Sequence, residues 1–233
     1  MAVALVQTAY DVTQPWTPSN PGTVTFASPL TSGNTVVVCT SVLDNRTVVS
    51  VTDHATTSNT YTERATGINT AEAWIHTAPV TQANTVVSVA FAGTTTSQGQ
   101  IVAMEFSGLN NADLLEQAIV NNADSTSPYN TSDIANVTTT VADSLLVGVI
   151  QSSSAADYTN DATFALPDAA TDWNGGLTAY KILTATTTTE SWDVTSAAGE
   201  VSIQLLVALN GTAAGGGTVI PVIIHHLKQQ GLL

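Results

Sequence analysis

The chain has 233 residues, of which 43% are hydrophobic and only 9% charged, with 4 Lys and Arg against 18 Asp and Glu for a formal charge of −14. So apolar and charge-poor a chain can build a core, which excludes an intrinsically disordered protein. Nucleic acid is excluded as a partner as well, because phosphate binding needs clustered cations and Arg46, Arg64, Lys181 and Lys228 are scattered.

Thr and Val are abundant while Lys, Arg and Glu are scarce, the composition of pleated, half-buried strands, so the predicted class is all-β. The opening Met1-Ala2-Val3-Ala4-Leu5-Val6-Gln7 has no basic residue and turns polar early, so no targeting segment is predicted, and no run reaches the ~18 apolar residues of a membrane span. Trp16, between Pro15 and Pro18, is expected to pin the N-terminal segment to the core. Period-two alternation predicts strands with one wet face at Thr23-Val24-Thr25-Phe26, Val48-Val49-Ser50-Val51-Thr52, Ala73-Trp74-Ile75-His76, Val86 to Phe91 and Ile101 to Phe106. Turn clusters such as Ser19-Asn20-Pro21-Gly22, Thr31-Ser32-Gly33-Asn34 and Gly93 to Gly99 separate them, and roughly ten to twelve strands at this spacing predict a two-sheet antiparallel β-sandwich or jelly roll. The single Cys39 lies in the apolar run Thr35 to Cys39, forms no internal disulfide, and is expected in the core.

An internal echo spans the chain. Asn34 to Val38, Ala73 to Ala78 and Gly99 to Gly108 are followed, about a hundred residues on, by Asp143 to Val147, Ala179 to Ala185 and Gly199 to Gly211. Four or five strands per half are too few for an independent sandwich, so residues 1–211 are expected to form one jelly roll of two interleaved halves, about 23–109 and 136–211. Tandem small domains are the second reading. After Gly211 the texture changes to a Gly-rich linker, 212–217, and an apolar arm, 218–233. In that arm Val219, Ile220, Val222, Ile223, Ile224, Leu227, Leu232 and Leu233 are the predicted partner-docking residues, since a free apolar tip in water requires a cover. Pro221 prevents one unbroken helix, so the arm either adds to a neighbour's sheet edge or forms a short docking helix after Pro221.

Catalytic patterns are not found. No Gly-x-Ser-x-Gly elbow or His-Glu-x-x-His is present, and His225 and His226 are adjacent, so in a strand they point to opposite faces and share no metal. Asp53-His54 and Glu63-Arg64 flank a predicted hairpin loop and are expected to pair across its mouth. Asp157, Asp161, Asp168 and Asp172, with Asn160, offer oxygens but match no EF-hand spacing, so no metal and no cofactor are predicted. Trp173, in Trp173-Asn174-Gly175-Gly176, reads as an exposed turn aromatic and is the one candidate for stacking on a sugar ring, whereas Trp74 and Trp192 read as core.

Val49-Ser50-Val51-Thr52-Asp53 leading to Asn59-Thr60-Tyr61-Thr62, with Thr23 to Phe26, Gly33 to Val38 and Ala103-Met104-Glu105-Phe106-Ser107-Gly108-Leu109, resembles β-sandwich modules of bacteriophage structural proteins and bacterial surface proteins. The resemblance covers roughly residues 23–211 and departs at Ala55-Thr56-Thr57-Ser58, where a Gly-containing turn is usual. It implies no enzymatic residues. The expectation is a non-enzymatic virion protein, made in the host cytoplasm, that decorates or cements a capsid exterior, or forms a head fibre, and is anchored by its C-terminal arm to other virion proteins. A homo-oligomer, such as a trimer, is expected, with no nucleic acid and no membrane. The rival expectation is a glycan-binding tail-fibre module or a secreted adhesin.

Overall fold

A computed structural model describes residues 1–11, 21–43, 46–54, 56–68, 71–92, 99–124, 129–130, 137–152, 158–167, 172–173, 176–187, 189–196 and 201–212. All regular structure among them is β. The first half holds β1 (Ala4–Asp11), β2 (Gly22–Thr25), β3 (Thr35–Leu43), β4 (Thr47–Thr52), β5 (Thr62–Ile68), β6 (Ala71–Pro79), β7 (Val86–Ala92) and β8 (Gly99–Ser107). The second holds β9 (Leu115–Asp124), β10 (Tyr129–Asn130), β11 (Leu145–Ser152), β12 (Tyr158–Thr159), β13 (Asp172–Trp173), β14 (Gly176–Ile182), β15 (Thr195–Ser196) and β16 (Val201–Leu209).

Strand pairing keeps the halves apart. The first makes a five-stranded sheet β1-β8-β3-β6-β5 and a three-stranded sheet β2-β7-β4; the second repeats this as β9-β16-β11-β14-β13 and β10-β15-β12. Antiparallel pairing holds throughout. Among the described residues no strand of one half joins a sheet of the other, so the halves are not interleaved strand by strand as expected from sequence, and each forms its own pair of sheets. Among the described residues each half shows eight strands rather than four or five, and in the second half two-residue strands such as β10, β12, β13 and β15 carry too little pattern to be counted.

The echo is therefore structural, and the ladders fix its alignment. Thr35↔Phe106 to Val42↔Gly99 in the first half matches Leu145↔Leu209 to Ser152↔Ser202 in the second. Gly99 thus corresponds to Ser202 and not to Gly199, while Ser107-Gly108 corresponds to Asn210-Gly211 as the sequence suggests. Local details repeat too. A left-handed residue precedes each third strand, Gly33 with φ 91 and Asp143 with φ 60. A β-bulge falls at the same place in each first strand, at Leu5/Gln7 and opposite Ala208/Leu209.

Among the described residues the sandwiches stack through their five-stranded sheets, giving four layers of three, five, five and three strands and three cores. The central core joins Val37, Cys39, Ile75, Val102, Met104 and Phe106 to Leu145, Val147, Val149, Ile203, Leu205 and Val207. Trp74, Val38 and Ile101 pack outward on Val24, Val87, Val89 and Phe91. In the second half Leu146, Ile150 and Leu206 pack on Phe164, Trp192 and Val194. The two middle sheets are covered on both faces, so Ala73 to His76 and Ile101 to Phe106 have no wet face, contrary to their alternation. Their inner runs need apolar residues at every position, hence Val36-Val37-Val38-Cys39 and Leu205-Leu206-Val207-Ala208-Leu209. Trp74 and Trp192 are core as predicted, at 1% and 0% exposed. Gly148 makes room for Trp192: a Cβ there would stand 2.2 Å from the indole Cε3. A polar seam crosses the central interface, where Gln100 Nε2 donates to Thr178 Oγ1 at 3.3 Å beside buried Ser41 and Gln151. Such groups set the register of one sheet on the other at a cost in desolvation.

Candidate functional site

The most constrained surface feature is the end of the stack where the two halves are joined and where the chain leaves toward residue 213. Leu109 bridges Gly211, Asn110 N donates to Asn210 O at 2.8 Å, Asn210 N donates to Leu114 O at 2.7 Å, and Thr212 N donates to Gly108 O at 2.7 Å. Asn210 Nδ2 adds a bond to Asp113 O at 2.9 Å. The connection between the halves is thus stitched to the end of the second half. The N-terminus closes the knot: the Met1 ammonium donates to Thr212 Oγ1 at 3.2 Å, and that hydroxyl lies 3.0 Å from Met1 O and 3.1 Å from Gly108 O. Gly108 has φ 80, and a Cβ on it would stand 2.4 Å from Ala2 O, so only glycine allows this approach. A cleft of about 250 Å³ opens here between Ser32, Gly33 and Asn34 on one side and Met1, Gly108, Leu109 and Thr212 on the other.

Two buried carboxylates, Asp53 and Glu105, are occupied by structural work. Asp53, 5% exposed, accepts from Asn59 N at 2.8 Å, from Asn59 Nδ2, from Asn84 Nδ2 at 3.0 Å and from the Tyr61 hydroxyl at 3.3 Å. Asn59 Oδ1 in turn takes Thr81 N at 2.7 Å and Gln82 N at 2.9 Å. Burial, followed by the Asp53 charge and hydrogen bond, raises the Tyr61 phenol above its ordinary range. The Asp53, Asn59 and Tyr61 of the quoted motif are therefore one network tying two loops together, with no free lone pair for a base. Glu105, fully buried, accepts from Thr31 N at 2.8 Å and from the amides of Asn34 and Gln7 at 2.6 Å each.

The pairing expected across the hairpin mouth does not form. His54 Nδ1 faces the backbone N–H groups of Thr56 and Thr57 at 3.2 and 3.3 Å, Arg64 Nε donates to Thr77 Oγ1 at 2.7 Å, and Glu63 lies 4.0 Å from His76. The side chains on β5 look to β6, its ladder partner, instead of back across the loop. Asn160 and Asp161 are engaged as well: Asn160 takes the Trp192 indole N–H at 2.9 Å and donates to Phe164 O at 2.8 Å, and Asp161 caps Thr163 N at 2.7 Å. Asp157 and Asp168 lie outside the described residues, and Asp172 and Trp173 are described by their backbone, which pairs with β14 at a sheet edge. Among the described residues no group of three or more His, Cys, Asp or Glu gathers to hold a metal. Comparison with family models, curated proteins and solved structures yields no match.

Sequence reasoning missed a patch on the outward face of the first five-stranded sheet. Glu72, Trp74 and His76 share that face of β6, and Thr40 and Thr66 stand opposite Trp74 on either side. Thr40 Oγ1, Thr66 Oγ1, Glu72 Oε2 and His76 Nδ1 are buried without a hydrogen-bond partner. Burial raises the Glu72 carboxyl to about 7, against the backbone N–H of Arg46 that lowers it, and burial lowers His76 to about 4. Spacing of Glu72 and His76 four apart on one strand puts them on one face, a signal available in the sequence, but their burial is not. Cys39 is a buried thiol in the central core, and burial raises its pKa. The predicted docking residues Val219, Ile220, Val222, Ile223, Ile224, Leu227, Leu232 and Leu233, together with Trp16, lie outside the described residues.

Proposed function

We propose that this chain is a non-enzymatic structural protein of a bacteriophage particle, a decoration, cement or head-fibre subunit attached through residues 213–233. The observation that carries this reading is the root of that segment. Thr212 is held by Met1 and Gly108 at the stitched end of the four-layer stack, so the apolar residues beyond it leave from one fixed point. Four β layers with middle sheets buried on both faces suit a subunit that must persist outside a cell without disulfides. Nesting of strands supports the finer fold reading. In each half the first strand pairs with the eighth, the second with the seventh, and the third with the eighth and sixth, the winding of a jelly roll with its fifth strand moved to the larger sheet.

Truncation after Thr212 tests this. The shortened chain folds, because the pinned end remains, and loses incorporation into particles. Full incorporation of the shortened chain refutes the reading. A second reading, glycan recognition, draws on the placement of β13 at a sheet edge and requires Trp173→Ala to reduce cell binding.

A further inference from the structure

The repeat gives the stack an approximate twofold axis running along its strands. Gly108 and Gly211, which close the two halves, lie at the same end, where Leu109 bridges Gly211 and Thr212 N donates to Gly108 O. Across the central interface β5 lies over β9, β6 over β16, β3 over β11 and β8 over β14. Since β9, β16, β11 and β14 are the counterparts of β1, β8, β3 and β6, a half-turn exchanges the halves and carries the β8–β14 contact onto the β16–β6 contact. Two sheets so alike present a problem of partner choice, because first halves of different copies offer each other nearly the same surface. We infer that the buried seam of Ser41, Gln100, Gly176 and Thr178 is the determinant that makes each half accept only the other. This inference is independent of the reading of the chain as a particle subunit.

Ladder register gives the equivalent positions. Gln100, Ser41 and Ala73 stand in one row of the first sheet, and Ile203, Gln151 and Gly176 in the matching row of the second; two residues along, Ile75 matches Thr178. On one side of the axis Gln100 Nε2 donates to Thr178 Oγ1 at 3.3 Å. On the other, the half-turn sets Ile203 against Ile75, both fully buried in the central core. One contact is polar and its counterpart apolar. The space is one-sided too. The position a Cβ on Gly176 would take lies 3.0 Å from Gln100 Nε2 and 3.0 Å from Ser41 Oγ, so two side chains of the first half fill the room a side chain would need. The first half carries Ala73, with its methyl, at the equivalent place.

Pairing of like halves fails on both counts. Two first halves in this geometry set each Gln100 amide against Ile75 in place of a hydroxyl and drive it onto an Ala73 methyl. Two second halves set Thr178 against Ile203 and press Gln151, 1% exposed and with Oε1 lacking a partner, into the place of the smaller Ser41. A buried polar group stripped of its partner loses more than the bond contributes, and overpacking adds strain. Misfit against the wrong partner is the general means by which similar surfaces are kept apart.

Two measurements test this. In urea denaturation of the full chain with Gln100→Leu, Thr178→Val or both, the substitutions are expected to be coupled: the double variant's unfolding constant is at least about threefold smaller than multiplying the single effects gives. Absence of coupling overturns the inference. For partner choice, a protease-cleavable insert between the exposed Ala112 and Asp113 lets the folded chain be cut, dissociated in urea and refolded, with native mass spectrometry to count the halves. Wild type is expected to give first and second halves in equal number and no pair of first halves, which lack residues 213–233 and so cannot associate through them. Ala73→Gly with Gln100→Leu removes the methyl and the amide that bar such a pair and is expected to give it. First-half pairs from wild type, none from this variant, or halves that no longer associate once cut overturn the inference. Where circular dichroism shows the variant unfolded, the coupling in the uncut chain decides.

Discussion

Asp53→Ala tests the loop network most sharply, because its four donors are all identified. The Asn59 N–H, 2.8 Å from Asp53 Oδ1, is buried and has no other acceptor to turn to. Asn59 Nδ2 keeps Gln82 O at 3.2 Å and Asn84 Nδ2 keeps Thr57 O at 3.2 Å, so each loses half of its bonding. The Tyr61 hydroxyl, 3.3 Å away on a half-buried ring, loses least. A hydrogen bond to a charged acceptor contributes about 1.5–3 kcal/mol and a stranded buried donor costs about 1–3 kcal/mol. Two such losses at Asn59 and a partial one at Asn84 sum to about 3–5 kcal/mol, less than the naive total because water can enter at the loop edge. The assay is urea denaturation of the wild type, Asp53→Ala and Tyr61→Phe, the last expected to lose no more than about 0.5 kcal/mol. A loss below about 1 kcal/mol for Asp53→Ala would show that the network does not hold the two loops together.

Glu72 and His76 have opposite pH linkage. Glu72 has a folded pKa of about 7 above a reference of 4.5, so its contribution is full below pH 4.5 and is lost as pH rises through 7. His76 has a folded pKa of about 4 below a reference of 6.5, so its contribution is present above pH 6.5 and lost as pH falls through 4. The two oppose each other between pH 4.5 and 6.5. Relative to wild type, His76→Gln is therefore expected to lose about 2 kcal/mol as pH rises from 4 to 6.5, and Glu72→Gln to gain a similar amount from 4.5 to 7, in denaturant titrations at each pH. Parallel profiles for both variants and wild type would contradict the burial assigned to the pair. Gly148→Ala drives a methyl into the Trp192 ring and is expected to cost about 1–3 kcal/mol with a changed Trp fluorescence; an unperturbed spectrum and stability would contradict the packing. Cys39 is expected to react with a thiol reagent only at the rate of unfolding, and rapid labelling of the native protein would place it outside the core.

The class was legible because edge and outer strands alternate: Val24, Val87 and Val89 point inward while Thr23 and Val86 are exposed. The duplication was legible in part. Its strongest marker, Ser107-Gly108 against Asn210-Gly211, holds because those glycines occupy equivalent ends of the ladders, whereas Gly99 against Gly199 is a coincidence of composition. Four layers were not read, although Thr35 to Val42 and Leu145 to Ile150 have no polar face to give to water, which marks strands covered on both sides. The carboxylate network at Asp53 was legible as a motif but not as geometry, since Asn84 and Gln82 come from a separate loop. Partners of Glu63 and Arg64 were misread because a bulge between Glu63 and Ala65 re-aims the strand, and nothing in Thr62-Glu63-Arg64-Ala65 announces a bulge.

Quantitative mass spectrometry of particles purified from the source culture, comparing copies of this chain with copies of the major shell protein, tests the central claim most directly. A subunit of the particle exterior is expected at tens to hundreds of copies per particle, falling to background when the chain ends at Thr212. Absence of the full chain from particles would contradict the account and leave a secreted binding protein in its place.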